Sequence, residues 1–137
     1  MHYKALLFFI LICFFSQISI AQVDSIKFGV GGGVTGAVTI YKLYKNQLYK
    51  SDGKLIANFD SISKLKCKDK KYLFKQANST AQEFPEFTQP YNHYKFIEIY
   101  GKNSKKFVWG NPDKLPPNSI QQYYDSLSKI VKTYKFK

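Results

Sequence analysis

The nine residues FGVGGGVTG, positions 28–36, contain five glycines, and Gly31, Gly33 and Gly36 satisfy the pattern G-x-G-x-x-G. In a dinucleotide-binding fold that pattern closes a strand and opens a helix, because the pyrophosphate rests on the helix N-terminus. Here it opens into AVTIYKLYK, residues 37–45, a β-branched and aromatic stretch that predicts a strand. Asp52 and Asp60, the acids that follow, fall in or beside expected turns rather than in a second parallel strand, and no Gly-Lys-Ser/Thr follows to cradle a phosphate. No cofactor is therefore expected. Two readings of the glycines remain. They form a bulge or wide turn between adjacent strands, or they leave backbone groups bare for a partner's chain or carboxylate. The second reading makes Gly31, Gly32, Gly33, Thr35 and Gly36 candidate partner contacts.

Other reactive residues are sparse. His93 is the only histidine after residue 21, and Ser79, Ser104 or Cys67 would meet it only through tertiary contact. Glu83 and Glu86 flank a proline, Glu98 is isolated in an expected strand, and Glu83, Glu86 and His93 match no metal-site spacing. The chain therefore predicts no catalytic residues and no metal. The aromatics say more. In YKFIEIY, residues 94–100, Ile97 and Ile99 share one strand face, while Phe96, Glu98 and Tyr100 share the other. If helices cover the isoleucine face, Phe96 and Tyr100 form an aromatic row available to a partner. The alternatives are that both faces are covered, or that the row is a cross-strand ladder with Phe107 or Trp109.

Residues 1–21 have the build of a secretory signal peptide. Lys4 is followed by an apolar run over residues 5–15 and a polar stretch, with Ser19 and Ala21 placed for cleavage before Gln22. The run is too short for a permanent membrane anchor, and Ile12 before Cys13 argues against a lipid-attachment site. Residues 22–137 are expected to form a single domain, exported to the periplasm or the medium and monomeric. This part keeps one cysteine, Cys67, and carries twenty lysines against nine acidic residues, a net of +11, with no arginine. Arginine supplies the planar fork for phosphates and bases, so nucleic acid is not an expected partner. A lysine surface instead suits an anionic glycan or lipid headgroup, or is simply solvated.

The elements that must position these residues follow from periodicity and punctuation. VDSIKFGV reads as a short strand that the glycine run interrupts. Residues 37–45 form the next strand, whose phase changes after Ile40, implying a bulge or two-sided burial. Asn46 and Gln47 turn the chain, SDGK is a second turn, and LIANF continues a β-meander. DKKYLFKQA, residues 69–77, predicts a helix, and the proline-containing residues 78–93 predict a loop. YKFIEIYG and KFVWG form a hairpin around GKNSK. The last element is an amphipathic helix with Ile120, Tyr123, Tyr124, Leu127, Ile130, Val131 and Tyr134 on one stripe. Asn118 and Gln121 are spaced as a capping box. The predicted class is α+β: an antiparallel sheet of four to five strands (β-meander, helix, β-hairpin, C-terminal helix) with two helices on one face.

FGVGGGVTG, the strand after it, VWG and the C-terminal helix together resemble a group of small exported bacterial proteins of unassigned function with an FGxGGGFTG start. GGVTG, residues 32–36, is also similar to the GGFAG start of emfourin, a family of protein inhibitors of thermolysin-type metalloproteases, with Val34 where that family has Phe. The emfourin resemblance implies a compact α+β protein that blocks an enzyme by presenting loops, one of them shaped by Gly32, Gly33 and Gly36. The function expected is thus that of an exported binding protein without catalytic activity, meeting an extracytoplasmic protein. The alternative is a lysine-rich envelope protein binding anionic glycan or lipid headgroups.

Overall fold

The structure, a computed structural model, describes residues 22–52 and 58–135. The expected signal peptide, the second half of the SDGK turn and the first three residues of the LIANF strand lie outside the described residues. The elements are β1 (Val23–Gly32), β2 (Ala37–Tyr44), β3 (Gln47–Asp52), β4 (Asp60–Lys64), α1 (Cys67–Glu83), β5 (Phe87–Gln89), β6 (His93–Gly101), β7 (Lys105–Trp109) and α2 (Asn118–Lys135). They build one sheet in the order β4-β3-β2-β1-β6-β7-β5. Every neighbouring pair is antiparallel except β5 and β7, which are parallel.

The α+β class holds, but the sheet has seven strands and is mixed, where four to five antiparallel strands were expected. The two additional strands carry little sequence signal. β4 is DSISK, a polar segment with one apolar side chain, and β5 is three residues long and lies between Pro85 and Pro90. Helix α1 also runs to Glu83 instead of Ala77. Thr80 and Ala81 are buried on the stripe begun by Leu73 and Ala77, so packing holds an Asn-Ser-Thr stretch helical against its local preference.

A larger correction concerns β1. The glycines do not interrupt it, because Gly29, Gly31 and Gly32 pair in unbroken register with Ile40, Val38 and Ala37 of β2 and with Phe96, Tyr94 and His93 of β6. Glycine keeps its backbone donor and acceptor, so the ladder continues where the side chains stop. β2 likewise shows no bulge. Its apparent change of phase reflects burial on both faces, with Tyr41 and Leu43 on one side and Val38 and Ile40 half-covered on the other.

One face of the sheet presents Ile26, Phe28, Leu43, Leu48, Ile97, Ile99, Phe107 and Trp109 to the two helices in a single core. On α2 the predicted stripe from Ile120 through Tyr134 faces the core as expected, fully buried except for the half-buried Ile130. Three of its tyrosines keep their hydroxyls satisfied by reaching backbone or acid. Tyr123 donates to the carbonyl of Leu73 in α1 (3.2 Å), Tyr124 to that of Gly29 in β1 (3.1 Å), and Tyr134 to Asp69 (2.6 Å) while accepting from the Lys66 amide (2.9 Å). The expected capping box is absent. Asn118 is already helical, the Ile120 and Gln121 amides donate to the Pro117 carbonyl, and the Gln121 side chain is used elsewhere. No helix among the described residues is long and apolar enough to cross a membrane.

The close approach at Gly29 makes a direct prediction. A Cβ there would stand 2.0 Å from the Thr39 backbone oxygen and 3.2 Å from the Phe96 ring, whereas at Gly36 it would meet nothing within 4 Å. Gly29→Ala is expected to lower unfolding free energy by about 3 kcal/mol or more, because strand backbone must move. Gly36→Ala, strained only by its φ of +60°, is expected to cost about 1 kcal/mol. Urea denaturation of the two variants checks the ranking.

Candidate functional site

β1 and β2 are joined by residues 33–36, and the turn is braced from two directions. The Gly36 amide donates to the Gly33 carbonyl at 3.1 Å, and the Gly33 amide donates to the Asn92 carbonyl at 2.6 Å, which ties the hairpin to the start of β6. A Cβ at Gly32, where φ is +102°, would lie 1.9 Å from the Asn92 oxygen. Only glycine fits there. Thr35 accepts a long hydrogen bond from the Ala37 amide (3.4 Å). At the tip stands Val34, whose side chain is fully exposed (103 %). A branched apolar residue at the apex of a braced turn is held out toward solvent with no contact of its own.

Beneath that tip, on the helix side of the sheet, lies a cavity of about 590 Å³ whose lining includes Val30, Ala37, His93, Trp109 and Leu115. It arises because α2 begins only at Asn118, so the glycine end of the sheet extends past the helix. A second groove of about 540 Å³ follows α2 along Tyr41, Tyr124, Ser128 and Val131, and the two share Val30 and Thr39 as floor. Trp109 is fixed in this wall by donating from Nε1 to Oε1 of Gln121 (3.1 Å) and by an edge-on contact with the Tyr124 ring (5.3 Å between centroids). Gln121 is held in turn by Asp125 (2.9 Å). Val30 is 45 % exposed and Leu115 74 % exposed, so the apolar surface continues from the groove to the rim.

Of the residues singled out from sequence, Gly31 and Gly32 belong to the end of β1, and Gly33, Thr35 and Gly36 form the turn. The structure does not bring Tyr100 to them. Phe96 pairs with Gly29, two residues before Gly31, on the face turned away from the helices, and is 7 % exposed, which corrects its reading as a bare aromatic. Its ring covers Gly29, and the Tyr94 ring covers Gly31, with Tyr94 Oη 2.5 Å from where a Gly31 Cβ would be. Aromatic rings thus fill the space left by glycines on the neighbouring strand. The ladder with Phe107 or Trp109 does not form, since both face the helices and Val108 stands opposite Phe96. Tyr100 sits opposite Ser25, seven residues from Gly32 along β1, or about 23 Å. The sequence reading missed Val30, Trp109 and Leu115. Leu115 had a signal, an apolar residue in the proline-rich stretch NPDKLPPN.

The reactive side chains also lie apart. His93 opens β6, while Ser104 lies beyond its other end, where its hydroxyl donates to the Gly101 carbonyl. Ser79 is bonded to the Lys75 carbonyl within α1, and Cys67 is an exposed residue at the start of that helix. Glu86 accepts from the Lys106 amide at 3.1 Å. No cluster of three or more potential metal ligands occurs among the described residues.

On the open face, Glu98 accepts from the Tyr100 hydroxyl at 2.5 Å and pairs with Lys106 at 3.0 Å, while the Lys27 ammonium stands 4.9 Å from the Tyr100 ring centroid. Burial pushes the Glu98 carboxyl upward. The hydrogen bonds from Tyr100 and Lys106 and the charges of Lys106 and Lys27 outweigh that and hold it below its ordinary value. The Tyr100 phenol is pushed up to about 12, first by burial and then by its bond to Glu98 and the charge there.

No family model matches the chain, and no curated protein matches it in sequence. The Glu98 cluster supplies a measurable signature of the open face. Because the folded carboxyl is lowered, its contribution to stability is complete above the unfolded value near 4.5 and is lost as pH falls through the folded one. The raised phenol acts at the other limit, since between 10 and about 12 only the unfolded chain ionises. Stability is therefore expected to fall below pH 4.5 and above pH 10. Glu98→Gln should lessen the acid fall, and Tyr100→Phe should lessen the alkaline fall, to which the raised Tyr123, Tyr124 and Tyr134 phenols also contribute, in denaturation midpoints measured across pH.

Proposed function

We propose that this chain is an exported binding protein, acting by contact rather than catalysis, whose partner is an extracytoplasmic protein received at the glycine end of the sheet. The observation that carries this reading is the combination of Val34 at the apex of a braced hairpin with the apolar cavity and exposed Leu115 directly behind it. An exposed tip enters a pocket on a partner while the groove receives a side chain in return, which is how a small rigid surface gains affinity without large area. The hairpin is tied to Asn92 before it binds, so little ordering entropy is lost on contact. The resemblance to emfourin points to a thermolysin-type metalloprotease as the class of partner to test. In that reading Val34 takes the place of the family's Phe, and the residues that contact the enzyme are Gly33, Val34, Thr35 and Gly36, with Leu115 beside them.

Purified protein is expected to slow a thermolysin-type protease at stoichiometric ratio, measured on a small chromogenic peptide. Val34→Asp and Leu115→Asp, both exposed and away from the core, should each weaken inhibition at least tenfold with an unchanged melting temperature. Lack of inhibition across a panel of such proteases would remove the inhibitor reading. Crosslinking from a photoreactive residue at position 34 in a native envelope fraction would then decide whether the hairpin meets any protein.

A further inference from the structure

At the opposite end of β1 from the glycine hairpin, the start of that strand, the β2–β3 turn and one side of α1 enclose a cleft of about 980 Å³. Lys45, Lys70, Lys71 and Lys75 line it, together with Tyr44 and Phe74. Among the described residues none of these four ammonium groups has a carboxylate within salt-bridge reach, and the one acid in the lining is Asp24. Lys71 and Lys75 stand one helical turn apart on the same side of α1, an arrangement that lowers helix stability unless opposite charge is supplied. Asp69, the acid in the first turn of this helix, is engaged by the Tyr134 hydroxyl and does not serve them.

The aromatic members are placed among the cations. Lys42 and Lys45 bring their ammonium groups to 5.4 and 5.5 Å from the Tyr44 ring centroid, and Lys70 stands 5.7 Å from that of Phe74. Tyr44 is 40 % exposed, and Asn78 and Ser79 add an amide and a hydroxyl to the wall. Several unpaired ammonium groups along one cleft, two of them one helical turn apart, a ring for the apolar face of a sugar and neutral hydrogen-bonding groups among them match a polymer whose successive units each carry an anion.

We propose that this cleft binds an anionic polysaccharide, with Lys45, Lys70, Lys71 and Lys75 facing its acidic groups and Tyr44 packing against a sugar ring. The surface is concave, which favours a chain laid within it over a membrane laid across it. The absence of arginine from the sequence removes the planar fork that phosphodiester recognition favours. This site is independent of the hairpin reading and stands or falls separately.

The test is binding of the purified protein to immobilised polygalacturonate. Competitors are soluble polygalacturonate, neutral dextran, single-stranded DNA and vesicles containing phosphatidylglycerol. Lys70→Gln/Lys71→Gln/Lys75→Gln should weaken binding tenfold or more, and Tyr44→Ala severalfold. A control with the same loss of charge at exposed sites outside the cleft, Lys114→Gln/Lys129→Gln/Lys132→Gln, should stay within twofold. Melting temperatures no lower than that of the parent protein exclude unfolding as the cause. Soluble polygalacturonate should compete and dextran should not. Equal losses in the two triple variants would overturn the proposal in favour of diffuse charge. No binding to polygalacturonate, or DNA or vesicles competing more strongly than the polysaccharide, would overturn it as well.

Discussion

The Gly29 peptide in the middle of β1 is the point on which the two faces of the sheet are built. With no side chain at this position, the Phe96 ring closes over the backbone from the open side, and the neighbouring Thr39 carbonyl approaches to a distance no Cβ would permit. From the other side Tyr124 delivers its hydroxyl to the Gly29 carbonyl, and its ring then meets Trp109 and Phe28 edge-on. The lack of a side chain at this residue thus sets how closely the β6 aromatics lie on one face, while its carbonyl anchors α2 on the other. Burial pushes the Tyr124 phenol above its ordinary value, in keeping with a group committed to donating its proton in that bond.

The same constraint explains which parts of the structure were legible in the amino-acid sequence. The apolar stripe of α2 could be read from spacing alone, because a helix that covers a sheet with one face must repeat its apolar residues every three to four positions. The β6–β7 hairpin and β2 were equally plain in their alternating or β-branched residues. The glycine segment was not, because glycine contributes no pattern. Whether such a stretch turns or continues a ladder is decided by Tyr94 and Phe96 more than sixty positions later. β4 and β5 were hidden for a related reason. They are edge strands with little apolar content, held by pairing with β3 and β7 rather than by their own preference. At the candidate site, the glycines were found, yet their apolar partners Val30, Trp109 and Leu115 come from three separate segments that only the tertiary fold assembles.

Carrying β1 through its glycines has a second effect, since it turns the strand into an axis with chemically different ends. At the hairpin end the sheet outruns α2 and leaves apolar surface around Val34 and Leu115. At the other end the strand starts beside α1 and the β2–β3 turn, where lysines gather around Tyr44 and Phe74. An interrupted β1 would have allowed the glycine segment to fold back over the sheet. The unbroken strand holds the two surfaces about 23 Å apart or more, far beyond the screening length of about 8 Å at physiological salt. Charge at one end therefore does little to contact at the other, and the two proposed contacts would not compete electrostatically.

The distribution of acids sharpens that contrast. Nine carboxylates face a large excess of lysine, and at least five of them serve the fold itself. Asp52 pairs with Lys50, Asp69 takes the Tyr134 hydroxyl, Glu86 takes the Lys106 amide, Glu98 holds Tyr100 and Lys106, and Asp125 steadies Gln121. Acid is thus used where geometry must be fixed, and little is left to offset lysine on the surface. A solvated lysine coat alone would not require these ammonium groups to converge. Four lysines do line one concave place with aromatic walls, three of them on a helix that like-charge neighbours make less stable. An anionic chain seated in that cleft would relieve the repulsion that the fold leaves in place.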